Sequence, residues 1–251
     1  MKAAIPMSKG PPPSVEELVQ VLRRTSLPTI ICEGPHDIAV YREIERTIGV
    51  TKVSVMAAGG RVALLQLHAR RSEYQRTKTV FFADSDMWMF VGVPIEHAGV
   101  HFTAGCSLEN ELFQSLEVEA LLNGSEIGIY TRALDEVTRW FAFVVNQVRS
   151  GSHWKLGTAW EVLDPSFRLC PNYCSAINYV SPSDDDVRAI RDNYQHFLRG
   201  KTWLEVLTRL LGEGRRTGAK FSSASLRELG CKFWAKEFME RQTAVVRAAL
   251  T

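Results

Sequence analysis

The sequence is poor in cysteine and contains no long apolar run. Its 251 residues include only five cysteines, an odd number that is too small and too scattered for a disulfide framework. The longest apolar runs, such as residues 141–145, are far shorter than the ~20 residues that a membrane-spanning helix requires. These absences argue against a disulfide-stapled secreted domain and against a transmembrane protein.

The sequence also lacks a signal-peptide pattern and a strong net charge. Residues 1–14 contain lysines and a Pro-rich stretch but no apolar segment, so we interpret them as a mobile leader and expect a cytoplasmic protein. The 30 Lys and Arg residues against 28 Asp and Glu residues give a net charge of +2. This value neither requires nor excludes a nucleic-acid partner.

Basic residues are concentrated towards the C-terminal end. Arg209, Arg215, Arg216 and Lys220 lie close together around a Gly-rich turn. The cluster fits either a solvated helix end or a surface that contacts phosphate groups. We take these four residues as the predicted nucleic-acid-binding patch.

Strands and helices alternate in the first half of the chain. The predicted strands cover four short apolar runs, at residues 29–32, 52–57, 79–83 and 101–104. The predicted helices of this half cover residues 15–24, 35–47, 61–74 and 108–122. The alternation predicts the α/β class, with a parallel sheet flanked by helices.

Longer helical stretches replace this pattern in the second half. The predicted helices cover residues 131–149, 184–199, 202–211 and 229–250. Residues 163–183 are interpreted as a long connection. We therefore predict a leader at 1–14, an α/β domain at 15–125 and an α-helical region at 126–251.

Acidic residues follow three of the four predicted strands. Glu33 and Asp37 flank the turn after the first strand, Asp84 and Asp86 follow the third, and Glu109 comes shortly after the fourth. Functional groups collect at the carboxyl ends of the strands in an open parallel sheet, so these carboxylates are expected to converge. Their mutual repulsion requires a cation, and oxygen ligands select Mg²⁺ or Mn²⁺.

The five acidic residues differ in how specifically the sequence indicates a metal-binding role for them. Glu33 is a candidate metal ligand or general base, and Asp84 and Asp86 are candidate metal ligands that would hold the metal directly or through water. Asp37 fits both metal binding and the capping of the helix that follows it. Glu109 fits both a distal ligand and an acidic residue in a first helical turn, where the helix dipole favours negative charge.

Two of these motifs resemble a known family. The strand followed by Glu33-Gly34-x-x-Asp37 and the strand followed by Asp84-x-Asp86 resemble the two signature motifs of Toprim domains. That family includes topoisomerases, bacterial primases, maturase-type ribonucleases and overcoming-lysogenization-defect nucleases. The resemblance covers about residues 30–122 and implies a Toprim-like sheet with a Mg²⁺-dependent catalytic site at Glu33, Asp84 and Asp86.

Two further motifs narrow the resemblance. Ser107-x-Glu109-Asn110 before an apolar helix, and Gly200-Lys201 at a late helix start, resemble the small Toprim nuclease subunits paired with ATPases in phage defence, as in PARIS-type systems. This implies that Lys201 is catalytic and stabilises charge on the phosphate. It also implies an ATPase partner, a toxic nuclease activity and tRNA or DNA as the substrate.

Other functions are compatible with the same carboxylates. An RNA-maturation nuclease and a nucleotidyl transferase would use the same site, and a non-catalytic metal-binding subunit of an ATPase complex would need only the metal. A homo-oligomer also stays open. A topoisomerase is disfavoured because 251 residues leave little room for a separate Tyr-bearing cleavage domain.

Overall fold

A four-stranded parallel sheet organises the N-terminal half. The structure, a computed structural model, describes residues 13–48, 53–152, 156–212, 216 and 218–250. The strands are β1 (Thr29–Cys32), β2 (Ser54–Ala57), β3 (Thr79–Ala83) and β4 (Val100–Phe102). They are all parallel and lie in the order β2-β1-β3-β4. The predicted α/β class with a parallel sheet is confirmed, and β1 and β3 end side by side.

Helices flank the sheet and form most of the second half. They are α1 (Val15–Arg24), α2 (Ile38–Ile48), α3 (Arg61–Ala69), α4 (Trp88–Val91), α5 (Leu108–Phe113), α6 (Gly124–Arg149), α7 (Ala159–Val162), α8 (Pro171–Ala176), α9 (Asp184–Arg191), α10 (Tyr194–Phe197), α11 (Gly200–Gly212), α12 (Ser223–Leu229) and α13 (Lys236–Leu250). A π-helical turn, Gly230–Trp234, lies between the last two. Within the described residues no helix is long and apolar enough to cross a membrane.

The sheet separates two apolar clusters because successive strand residues point to opposite faces. Ile31 and Phe81 pack in the smaller cluster with α1 and α3. Ile30 and Phe82 belong to the larger cluster, which includes residues of α2 and continues through α6 and α11 as far as Val246. The larger cluster therefore contains residues from both sides of position 126, and the domain division predicted there stays a prediction.

The predicted limits of helices and strands agree best with the structure where the local sequence signal is strongest. The helix at 15–24 and the strands at 29–32 and 79–83 have the predicted limits. A capping box begins α1, since Ser14 and Glu17 exchange hydrogen bonds there. The beginning of the predicted strand at 52–57 lies partly outside the described residues.

Several helices in the second half differ from the prediction. The helix predicted to begin at residue 131 begins at 124, because the Asn123 side chain accepts hydrogen bonds from the first-turn amides. The helix predicted at 184–199 is split into α9 and α10, and the connection predicted at 163–183 contains α8. Helix α12 was not predicted from the sequence.

The side chain of Asn110 joins the start of α5 to the start of α11. Its carbonyl oxygen accepts hydrogen bonds from the backbone N–H groups of Ser107 at 2.8 Å and Gly200 at 3.1 Å. Its amide donates to the carbonyl oxygens of Gln195 and Leu198, both at 2.8 Å. Because Asn110 is buried, water would not replace these bonds if they were lost. They hold the first turn of α11 against the carboxyl edge of the sheet.

This contact between α5 and α11 requires glycine at position 200. An added Cβ would lie 2.6 Å from Asn110 Oδ1 and 2.7 Å from Ser107 Oγ. We expect Gly200→Ala to lower the free energy of unfolding by about 1–3 kcal/mol, measured by urea denaturation. Gly128→Ala in α6 is the matched control, because its added Cβ would have no atom within 4 Å. It should raise stability by about 0.5–1 kcal/mol, and equal effects of the two changes would contradict the account.

Candidate metal centre

Three carboxylates converge at the carboxyl edge of the sheet. Glu33 follows β1, and Asp84 and Asp86 follow β3. One oxygen of each side chain lies within 4.8 Å of the others, which is close enough for all three to hold one metal ion. The convergence follows from topology, because neighbouring parallel strands in register end at the same edge. Three of the five predicted metal ligands therefore lie together.

Asp84 is the most deeply buried member of this triad. It is 4% exposed. Its Oδ1 accepts a hydrogen bond from the N–H of Leu108 at the start of α5, at 2.8 Å, and its Oδ2 accepts from Nζ of Lys201 at 2.7 Å. Burial raises the pKa of Asp84, although the charge of Lys201 opposes the rise. Each carboxylate oxygen has a second lone pair, so these hydrogen bonds leave room for a metal.

Lys201, which the family resemblance alone implicated, lies inside the site. Burial acts to lower the pKa of its ammonium group, but the carboxylates of Asp84 and Glu109 outweigh burial and raise the pKa above its ordinary value. Lys201 therefore stays charged at neutral pH. Its position depends on the Asn110 contact, which fixes the first turn of α11 beside α5.

Asp86 has an unusual backbone and an unsatisfied carboxylate. Its φ of 44° lies in the left-handed region, which Asp tolerates better than most residues. Its N–H donates to the carbonyl oxygen of Cys106 at 2.6 Å. Its Oδ1 is buried and has no hydrogen-bond partner among the described residues. A buried carboxylate oxygen without a partner is unfavourable, and a hard cation would satisfy it.

Arg61 and Arg227 are basic residues of the site that the sequence did not predict, and Arg61 is the one that contacts the triad. It is the first residue of α3, and its Nη2 lies 2.9 Å from Asp86 Oδ2. Its Nε lies 3.7 Å from Glu33 Oε2, and its guanidinium also donates to the carbonyl oxygen of Asp84. The guanidinium carbon lies 4.9 Å from the centre of the Trp88 ring. The cation of Arg61 therefore occupies the space between the triad carboxylates.

Glu33 and Asp37 hold their protons more tightly than ordinary carboxyl groups. Burial and the charge of Asp84 raise the pKa of Glu33 to about 7. The same causes raise the pKa of Asp37 to about 6. The Asp37 carboxylate accepts a hydrogen bond from the N–H of Gly34 at 2.8 Å. This bond is to the loop that precedes α2, so it does not cap the helix. Asp37 lies in the same cleft as Glu33 but outside the triad.

Glu109 is buried in the first turn of α5 and is paired with an arginine. Its carboxylate accepts hydrogen bonds from Ser107 Oγ at 2.8 Å and Arg227 Nη2 at 2.7 Å. Burial acts to raise its pKa, but the charges of Lys201 and Arg227 outweigh burial, and the pKa lies below its ordinary value. Glu109 lies outside the triad, and its role as a distal ligand stays a prediction.

The predicted nucleic-acid-binding patch is wrong at Arg209. This residue is 7% exposed, and its guanidinium donates to the carbonyl oxygens of Leu163 and Asp164. It also lies over the rings of Trp160 and Phe167. The buried guanidinium of Arg209 therefore holds the backbone of the connection after α7 and is not available to contact a phosphate backbone.

The patch is wrong at Arg216 for the same reason. Its Nε lies 3.0 Å from Glu126 Oε1, and both side chains are about nine-tenths buried. Its guanidinium also donates to the carbonyl oxygen of Leu121. Lys220 is exposed, and Arg215 lies outside the described residues. The predicted patch is therefore not a continuous surface of free cations.

A cleft of about 760 Å³ opens beside the triad. Its charged lining residues are the acidic Glu33, Asp37, Glu109 and Glu205 and the basic Arg199, Lys201 and Arg227. Its size is within the range of small-molecule and cofactor sites. The cleft gives solvent and an extended ligand access to the carboxyl edge of the sheet.

The charges around this cleft do not balance. The carboxylates are Glu33, Asp37, Asp84, Asp86, Glu109 and Glu205, and the cations beside them are Arg61, Arg199, Lys201 and Arg227. With every group ionised, six negative charges face four positive charges. A divalent cation would compensate the difference. The oxygen donor set and the unpartnered oxygen of Asp86 fit a hard ion of the Mg²⁺ or Mn²⁺ type.

Comparison with known proteins does not assign the chain to a family. No model of a known protein family matches the sequence, and no curated protein matches it. The Toprim resemblance therefore stays a prediction.

The raised pKa of Glu33 predicts that the metal-free protein loses stability as the pH rises. The pKa changes from an ordinary 4.5 to about 7 on folding, so the folded state binds this proton more tightly. The stabilisation is fully present below pH 4.5 and is lost by about pH 7, with an upper size of roughly 3 kcal/mol. Urea denaturation without divalent cations should show Glu33→Gln becoming more stable than the wild type across this range. A difference between the two proteins that does not change with pH would contradict the burial of this carboxyl.

Proposed function

We propose that the chain is a divalent-metal-dependent nuclease of the Toprim type that hydrolyses nucleic-acid phosphodiesters. The supporting observation is the convergence of Glu33, Asp84 and Asp86 at one sheet edge, with Lys201 on Asp84. A Mg²⁺ or Mn²⁺ ion bound by this triad would supply a Lewis acid for the phosphodiester. The adjoining cleft gives a polymer access to the same edge.

The residues of the site have distinct roles in this proposal. Glu33, at the end of β1, would serve as a metal ligand or as the group that accepts a proton from water. Lys201 carries a permanent positive charge beside Asp84 and stabilises the negative charge that develops on the phosphate. Asp84 positions that ammonium group. Asp84 and Asp86, which both follow β3, would hold the metal together with Glu33.

We further propose a cytoplasmic toxic effector that an ATPase partner restrains and that cleaves tRNA or DNA. This follows from the resemblance of Ser107-x-Glu109-Asn110 and Gly200-Lys201 to ATPase-coupled phage-defence nucleases. The two motifs are in contact in the fold, where the Gly200 N–H donates to Asn110 Oδ1. That contact supports reading them as parts of one site.

The proposed activity is tested by incubating the protein with Mg²⁺ or Mn²⁺ and separate pools of tRNA, ribosomal RNA and duplex DNA. We expect cleavage of one pool, and Glu33→Gln should lower the rate by about 10²–10⁴-fold. Glu205→Gln is the matched control, because Glu205 lines the same cleft but binds the Ala159 N–H and lies outside the triad. Full cleavage by the Glu33 variant would refute the proposed mechanism.

Nucleotidyl transfer is the second candidate activity for this site. The cleft of about 760 Å³, with Arg199, Lys201 and Arg227 in its walls, has the size and charge that suit a nucleoside triphosphate. A transferase would lengthen a primed strand when given nucleoside triphosphates, whereas a nuclease would only shorten it. A non-catalytic metal-binding subunit would do neither and would still bind the metal.

A second groove extends the cleft along α2 and supplies exposed cations. It has a volume of about 500 Å³ and shares Pro35, His36 and Arg227 with the first cleft. Arg42 and Arg46 of α2 line it and are exposed. We propose this groove as the path of the nucleic-acid backbone in place of the predicted C-terminal patch.

We expect Arg42→Glu combined with Arg46→Glu to weaken nucleic-acid binding by roughly tenfold and to lower the salt dependence by about two phosphate contacts. Binding is measured by fluorescence polarisation in a Glu33→Gln background, which prevents cleavage. Arg132→Glu combined with Arg188→Glu removes equal charge from exposed positions that line neither groove. Equal weakening by the two double variants would show a general charge effect and exclude the proposed path.

A further inference from the structure

The guanidinium of Arg61 lies where the proposed metal ion would meet its ligands. We propose that Arg61 is an internal counter-cation that holds the triad together in the metal-free protein and is displaced when a divalent cation binds. This inference rests on the proposed metal site. It adds a competition between a residue of the chain and the metal, which the proposed nuclease activity does not require.

The contacts of Arg61 are poorly matched for a purely structural ion pair. Nη2 lies 2.9 Å from Asp86, but Nε lies 3.7 Å from Glu33 and has no hydrogen-bond partner although it is buried. Oδ1 of Asp86 is buried and also has no partner. A structural arginine–carboxylate pair normally satisfies such atoms through two parallel hydrogen bonds. The unmatched donor and acceptor indicate a geometry suited to a different cation.

The other two cations of the site are better anchored. Lys201 makes a 2.7 Å bond to Asp84 and belongs to a helix whose start is held by Asn110. Arg227 donates from both Nε and Nη2 to Oε1 of Glu109, at 3.2 and 2.7 Å. Arg61 alone of the three contacts the carboxylates of two members of the triad and leaves a buried donor unpaired. It is therefore the cation that a metal would replace at the lowest cost.

Trp88 provides a surface along which Arg61 can move. The guanidinium carbon lies 4.9 Å from the ring centre, and a cation over an aromatic face is stabilised there. Trp88 is only partly buried, so the guanidinium can leave the carboxylates and keep contact with the ring. Arg61 also follows Gly59 and Gly60, which both have positive φ values, so α3 begins at a turn and the side chain is not held by a preceding helical turn.

The proposal predicts that removal of Arg61 tightens metal binding. Isothermal titration with Mn²⁺ should give a dissociation constant about tenfold or more lower for Arg61→Gln than for the wild type, since one competing charge next to the ligands is removed. Arg227→Gln is the matched control, because it removes an equal charge paired with Glu109 outside the triad. Its effect should be less than about threefold.

Each outcome of this titration distinguishes the inference from the proposed function. Tighter binding by Arg61→Gln alone supports the displacement. Equal affinity in the wild type and Arg61→Gln, weaker binding by Arg61→Gln, or equal tightening in both variants overturns it while leaving the metal site intact. Absence of binding in all three proteins overturns the metal site and the role of Arg61 together.

A measurement on the wild type covers the case in which Arg61→Gln does not fold. The Nε–H resonance of Arg61, assigned by its loss in Arg61→Lys, should shift and exchange faster with solvent when the metal-free protein is saturated with Mg²⁺, a diamagnetic ion used here instead of Mn²⁺. The reason is that Nε is buried in the metal-free state and would be released. A resonance that does not change on saturation with Mg²⁺ would overturn the displacement.

Discussion

Repulsion among carboxylates at one edge of the sheet is the constraint that organises the rest of the structure. The parallel register of β1 and β3 brings Glu33, Asp84 and Asp86 to one place, and burial prevents water from screening their charges. In the folded chain, cations from distant parts of the sequence lie beside these carboxylates and partly neutralise them. Arg61 comes from α3 and Lys201 from α11. Burial and the charge of Asp84 nevertheless raise the pKa of Glu33 to about 7, and a further positive charge at the triad would lower it.

The helical half therefore completes the site. Helix α11 brings Lys201 to Asp84, and α12 brings Arg227 to Glu109. In the same way α13 brings Arg241 to Glu111, a buried residue of α5, at 2.6 Å. Because these pairs link the carboxyl edge of the sheet to three C-terminal helices, the geometry of the site depends on the packing of the second half.

The sequence predicted the acidic part of the site and missed much of the basic part. The short apolar runs ending at Glu33 and Asp84 were sufficient, because a buried strand followed by an acid is a local signal. Arg61 carries no such signal, since its partners lie 28 and 25 residues away and only the sheet brings them together. The same limit explains the error at Arg209, because a basic residue in a charge-rich segment is indistinguishable by sequence from one buried against backbone carbonyls. Lys201 was located only through the family resemblance.

The central claim is that the triad is a metal site. A crystal grown with Mn²⁺ and measured at the manganese absorption edge tests it most directly, since anomalous scattering locates the ion without reference to activity. The account predicts one anomalous peak about 2.1 Å from oxygens of Glu33, Asp84 and Asp86, a distance typical of Mg²⁺-like coordination. A crystal with no peak at the triad, and with the guanidinium of Arg61 still between the carboxylates, would contradict it.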